Sequence, residues 1–124
     1  IKNKQINFKN NFNLNSLKNL NQIHNSIPKK NFISILGVGE DGHIASIFNL
    51  KERFVLNKST ILTKRSNEEF FRISLSYEYL SKSKNIFLIF SNKKKMKQIK
   101  NKNTIVYKFL KKNNKKILNY FVTE

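Results

Sequence analysis

The sequence predicts an α/β domain built on a parallel β-sheet, and three observations predict it. Two short apolar runs, Phe32-Ile33-Ser34-Ile35-Leu36 and Ile86-Phe87-Leu88-Ile89-Phe90, have the length and composition of buried strands. The first is preceded by apolar residues at helical spacing. It is followed by a glycine-rich loop that leads into a further apolar stretch, and the order helix, strand, glycine loop, helix is that of a sheet with helical crossovers. With 124 residues the chain has the length of one domain, so residues 1–124 are read as a single unit.

The elements follow in chain order. Residues 1–13 are polar and Asn-rich, without a period, and read as an irregular lead-in. Leu14, Leu17, Leu20, Ile23 and Ile27 recur at three and four residues, which predicts an amphipathic helix that Pro28 stops. Residues 32–36 form the first buried strand, 37–43 a loop, and 44–48 the first turns of a second helix. Shorter strands are expected at 54–56, 60–63 and 70–75, and a short helix at 77–81. Residues 86–90 are the second strand covered on both faces. Residues 93–100 read as a helix and 117–122 as a closing apolar segment. From Ser91 to Lys116 there are 11 Lys and no acid. Met96 and Ile99 give that stretch a partly apolar face, so a solvated helix is its first reading.

Composition excludes several classes of function. The chain has no Cys, which removes disulfide scaffolds, thiolate zinc sites and cysteine nucleophiles. No apolar run approaches the roughly 20 residues of a membrane span, and no signal-peptide core follows the polar start, so a soluble, cytoplasmic protein without a membrane partner is expected. The start at Ile1 instead of Met suggests that something upstream is removed or missing. The net charge of +18 would ordinarily point to nucleic acid. However, Lys, Asn, Ile and Phe make up 68 of the 124 residues, and all four have A/T-rich codons. The basicity is therefore read first as the imprint of an A/T-rich genome. A basic module using the lysines of 91–116 is the distant alternative. It is disfavoured because only Tyr107 and Phe109 interleave with those lysines and no RNA-binding motif is present, and no specific nucleic-acid partner is expected.

One stretch escapes that background. All three glycines, Gly37, Gly39 and Gly42, fall within six residues, with the only Asp, Asp41, among them and the only Ala, Ala45, beside them. Glycines after a strand permit positive φ and close backbone approach to a ligand, and a following helix would offer free N–H groups to an anion. Asp41 and His43 make a dinucleotide site unfavourable and suit acid–base chemistry instead: the imidazole takes a proton near neutral pH and the carboxylate orients it. His24, beside Ile23 in the helical stripe, is read as structural or solvent-facing.

Residues 36–48, Leu-Gly-Val-Gly-Glu-Asp-Gly-His-Ile-Ala-Ser-Ile-Phe, resemble the signature of the 6-phosphogluconolactonases, in which Leu-Gly-x-Gly-x-Asp-Gly-His runs into a small residue, Ser, Leu and Phe. The related glucosamine-6-phosphate deaminases share the first part but continue with Phe-Asn-Glu-Pro, so Ser46-Ile47-Phe48 favours the lactonases. Residues 71–76 are similar to the family's Arg-Ile-Thr-Leu-Thr segment, 85–90 to its next strand and 117–122 to its closing aromatic segment. Asn49 stands where the family has Pro, and Ser91 where it has Gly, which leaves the register of Lys94 against Lys93 and Lys95 open. The likeness spans roughly residues 14–124 and only the C-terminal half of a family member, without its N-terminal phosphate loop.

The resemblance implies a parallel-sheet, Rossmann-like three-layer sandwich of the sugar-phosphate isomerase/lactonase type, apparently lacking its N-terminal half. It implies hydrolysis of a small sugar-phosphate lactone without metal or organic cofactor. His43 and Asp41 are the implied catalytic residues, and Gly37, Gly39, Gly42, Arg72 and Lys94 the substrate-binding ones. A deaminase-like sugar-phosphate enzyme and a truncated, inactive lactonase are the alternatives. Oligomeric state is not implied.

Overall fold

The computed structural model describes residues 24–51 and 53–122, the last five as backbone. The irregular lead-in and most of the expected first helix lie outside the described residues; residues 24–26 are helical and Pro28 follows. Two sheets form. The first is parallel, with β1 (Ile33–Gly37), β5 (Asn85–Phe90) and β6 (Ile117–Val122) in the order β1-β5-β6. The second is antiparallel, with β2 (Arg53–Val55), β3 (Thr60–Lys64) and β4 (Phe71–Leu75) in sequence order. Helices α1 (Tyr77–Leu80), α2 (Lys93–Met96) and α3 (Ile105–Asn113) and a 3-10 turn (Lys97–Lys100) complete the described elements. The expected α/β fold with a parallel sheet is present.

The apolar runs form strands because their alternate side chains can be buried together. Ile33 pairs with Asn85 and Gly37 with Ile89 at the two ends of the β1–β5 ladder. This register places Leu36 of β1 on the same face as Ile86, Leu88 and Phe90 of β5, all buried. Helix α3 lays Ile105, Val106 and Phe109 into that core, and α1 adds Tyr77, Tyr79 and Leu80. Tyr77 meets Phe109 edge-on at 5.2 Å between ring centres. Each fully buried Phe, Leu or Ile contributes about 1.5–3 kcal/mol. Side-chain caps start the helices where the apolar pattern allows: Ser76 accepts from the Tyr79 N–H, Asn92 from the Lys95 N–H and Thr104 from the Tyr107 N–H.

Three expectations are corrected. Residues 44–48 are not helical. Ile44 bridges Val38 and Ile47, and Ala45 takes a positive φ of 50°. The Ser46 N–H donates to Ser74 Oγ while its carbonyl accepts from Thr63 Oγ1, so the backbone groups a helix would pair internally are spent on the small sheet. Strand β1 is not covered on both faces among the described residues: it alternates between buried and exposed, with Ile33 58% and Ile35 64% exposed, whereas β5 alternates between buried and partly buried. Finally, the lysine-rich stretch is not one helix. Helix α2 tightens into the 3-10 turn, and a separate helix, α3, starts at the Thr104 cap.

Candidate active site

The site is the loop that leaves the carboxyl end of β1. The Val38 N–H donates to the Ile89 carbonyl, extending the ladder by one bond before the chain turns away from the sheet. The turn closes on itself: the Gly39 N–H donates to the His43 carbonyl and the Gly42 N–H to the Gly39 carbonyl. It is anchored from outside by the Gln98 side chain, which donates to the Glu40 carbonyl, and by the Val106 N–H, which donates to the Gly42 carbonyl. The first turn of α3 is thus bound to the loop.

Two of the glycines have steric reasons. A Cβ on Gly39 would lie 2.1 Å from Cε1 of His43, so its absence lets the imidazole lie against the backbone. Gly42 has a φ of +79°, and a Cβ there would lie 2.6 Å from Cβ of Thr104. At Gly37 a Cβ would meet nothing within 4 Å.

Asp41 organises the chemistry. Its Oδ1 is 2.5 Å from Nδ1 of His43 and accepts from the His43 backbone N–H at 3.2 Å, and its Oδ2 accepts from Nη2 of Arg65 at 2.9 Å. Partial burial pushes the Asp41 carboxyl upward, but the His43 side-chain and backbone hydrogen bonds, aided by Arg65, outweigh it and hold the pKa down to about 2. An ionised carboxylate only accepts hydrogen bonds, so Nδ1 of His43 carries the proton. In the neutral imidazole Nε2 is then a bare acceptor, and it has no hydrogen bond among the described residues.

The small sheet supplies the surroundings. Phe48 packs against the His43 ring at 4.8 Å, and the guanidinium groups of Arg65 and Arg72 each lie 5.3 Å from the centre of the Phe48 ring. Arg72 is further held by Glu68 at 2.5 Å and by the Phe70 ring at 4.5 Å. A cleft of about 450 Å³ opens beside the loop, lined by residues 37–40 with His43, Arg65 and Lys95. A second groove of about 520 Å³, with Phe54, Leu62 and Phe71 among its lining residues, also touches Arg65 but contains no acid–base pair.

Of the sequence-predicted site residues, Gly37, Gly39 and His43 line the cleft, and Asp41 stands behind His43. Gly42 packs under α3, Arg72 reaches the site through Phe48, and Lys94 is exposed on α2 outside the cleft lining. The anion-binding helix start expected after the loop does not exist. The amides of Val38, Gly39, Gly42 and His43 are engaged within the protein, whereas those of Glu40 and Asp41 have no partner among the described residues. Of the lysines whose register the sequence left open, Lys95 lines the cleft; sequence reasoning missed Arg65 and the part played by Phe48. For Arg65 a signal was present: the chain has 3 Arg against 22 Lys, and each Arg forms an ion pair with a carboxylate. Among the described residues no three His, Cys, Asp or Glu side chains stand together to hold a metal, and no helix is long and apolar enough to cross a membrane.

Comparison with known proteins places the chain in a family. Residues 13–113 match the family model of glucosamine-6-phosphate isomerases/6-phosphogluconolactonase. A probable 6-phosphogluconolactonase of Dictyostelium discoideum is 37% identical over 87 residues, which cover 66% of this chain and 36% of that protein. The crystal structure of 6-phosphogluconolactonase from Thermotoga maritima matches with a TM-score of 0.64 at 25% identity, over 84% of this chain and 48% of the other. A 6-phosphogluconolactonase from Shewanella baltica shares the fold at a TM-score of 0.61 and 18% identity, over 83% and 48%. The chain thus spans about a third of the length of the curated relative and about half that of these solved structures. With the family model covering most of its residues, the chain belongs to the glucosamine-6-phosphate isomerase/6-phosphogluconolactonase family.

Proposed function

We propose that this protein hydrolyses 6-phospho-D-glucono-1,5-lactone to 6-phosphogluconate, in the oxidative pentose phosphate pathway and in the cytoplasm, with neither metal nor organic cofactor. Residues 1–124 are on this reading the C-terminal portion of a 6-phosphogluconolactonase-like domain. The observation that carries the reading is the Asp41–His43 pair at the cleft, in which the carboxylate fixes the proton on Nδ1 and leaves Nε2 bare. The names of the relatives support the same substrate.

Nε2 of His43 takes a proton from a water molecule as its oxygen attacks the lactone carbonyl carbon. The tetrahedral intermediate collapses by breaking the bond from that carbon to the ring oxygen, and the imidazolium returns its proton to the departing oxygen. General-base assistance of this kind contributes about 10²–10⁴-fold. The unengaged amides of Glu40 and Asp41 are the loop's donors for the developing oxyanion. Gly37 leaves open space for the substrate beside the backbone, Gly39 lets the His43 ring lie against the loop, and Gly42 holds the loop against α3. Arg72 and Lys94 attract the 6-phosphate, with Lys95 nearer the cleft.

The test gives the full chain either the lactone, at a pH where spontaneous opening is slow, or glucosamine 6-phosphate. Faster lactone loss without ammonia release is the expected result. Ammonia release from the amino sugar would replace the reading by a deaminase, and inertness toward both would refute activity of this chain.

A further inference from the structure

We infer that Arg65 is a positioning residue of this site: its guanidinium, between the Asp41 carboxylate and the Phe48 ring, holds the carboxylate so that His43 keeps its proton on Nδ1. The inference deepens the lactonase reading, and its kinetic half rests on that reading. The Asp41 side chain is 46% exposed. The ring Nδ1 and the backbone N–H of His43 both bond to Oδ1 and hold that oxygen only. The Arg65 bond to Oδ2 engages the second oxygen, so both ends of the carboxylate are tied.

The other side of the guanidinium is fixed as well. It lies over Phe48, and Phe48 packs against the ring of His43, so one arginine supports the acid and, through the phenyl ring, the base. Its backbone follows β3 directly, and β3 is bound to the 44–48 segment by the Thr63 hydroxyl on the Ser46 carbonyl. The residue type fits the task. A planar fork can donate to a carboxylate and lie over an aromatic ring together, which an ammonium does less well. In a chain with 22 Lys and 3 Arg, an arginine occupies this place.

The experiment compares the full chain with Arg65→Gln and Arg65→Lys. Nitrogen-15 NMR of the imidazoles at alkaline pH, assigned with a His43→Ala control, reads the tautomer without any substrate. Wild type should hold His43 as Nδ1–H, Arg65→Gln should give a mixture of tautomers, and Arg65→Lys should lie between. In lactone hydrolysis, Arg65→Gln should lower kcat by about 10-fold with KM nearly unchanged, and Arg65→Lys should recover part of the loss. An unchanged tautomer in Arg65→Gln would overturn the inference. So would a rise in KM alone, which would make Arg65 a direct substrate contact. If wild type proves inert toward the lactone, the functional reading fails while the tautomer still decides the role of Arg65. Should Arg65→Gln not fold, Arg65→Lys carries the same comparison.

Discussion

On one face of the parallel sheet, Leu36, Ile86, Leu88 and Phe90 are packed with residues of α1 and α3; on the other, Ile33 and Ile35 stand open to solvent. The loop of residues 37–43 is joined to the first side. Ile44 and Ile47 enter the same core, Gly42 lies under Thr104, and the start of α3 donates to the loop carbonyl. The packed face therefore holds both the fold and the site, whereas the open face of β1 does little for either among the described residues. Site geometry in this molecule is a consequence of core packing on one side of a sheet.

The contrast can be broken first at its strongest point. Phe109→Ala removes a fully buried ring of α3 and should cost about 3–5 kcal/mol, read by denaturant unfolding. A loss near zero would mean that α3 does not brace the sheet. Next, Gly42→Ala should cost about 1–3 kcal/mol, because the methyl group meets Thr104 at a strained φ. Gly37→Ala, at the start of the same loop and with open space around it, should stay within about 0.5 kcal/mol.

Acid sharpens the comparison further. The folded Asp41 pKa of about 2 lies below its ordinary value of 3.8. Its contribution is complete above about pH 4 and is lost as the pH falls toward 2. Because the carboxylate is nearly half exposed, solvent screening limits that contribution to under about 1 kcal/mol. Asp41→Asn should remove this part of the acid dependence, and identical acid unfolding of the two proteins would contradict the pairing. The smallest effect belongs to the open face: Ile35→Thr should change stability by less than about 0.5 kcal/mol.

Much of this was legible in the sequence because it depends on local pattern. The strands at 33–37 and 85–90 are apolar runs bounded by polar or glycine residues, and the glycine cluster with Asp41 and His43 stands out against a chain made largely of Lys, Asn, Ile and Phe. Helix α3 was hidden because Lys108, Lys111 and Lys112 dilute the stripe of Ile105, Val106 and Phe109 within a longer lysine run. The 44–48 segment was misread because its backbone partners, Thr63 and Ser74, come from strands distant in sequence. For Arg65 the rarity of arginine was visible but its partner was not: its bond to Asp41 spans 24 residues and exists only once the antiparallel sheet is placed beside the loop.

The central claim is that His43, oriented by Asp41, performs base chemistry in the cleft. Its most direct test is the rate of lactone hydrolysis by the full chain and by His43→Ala at a pH where spontaneous opening is slow. We expect the variant to lose about 10²–10⁴-fold of the rate above background while remaining folded. Equal rates for the two proteins would contradict the assignment of His43 as the base.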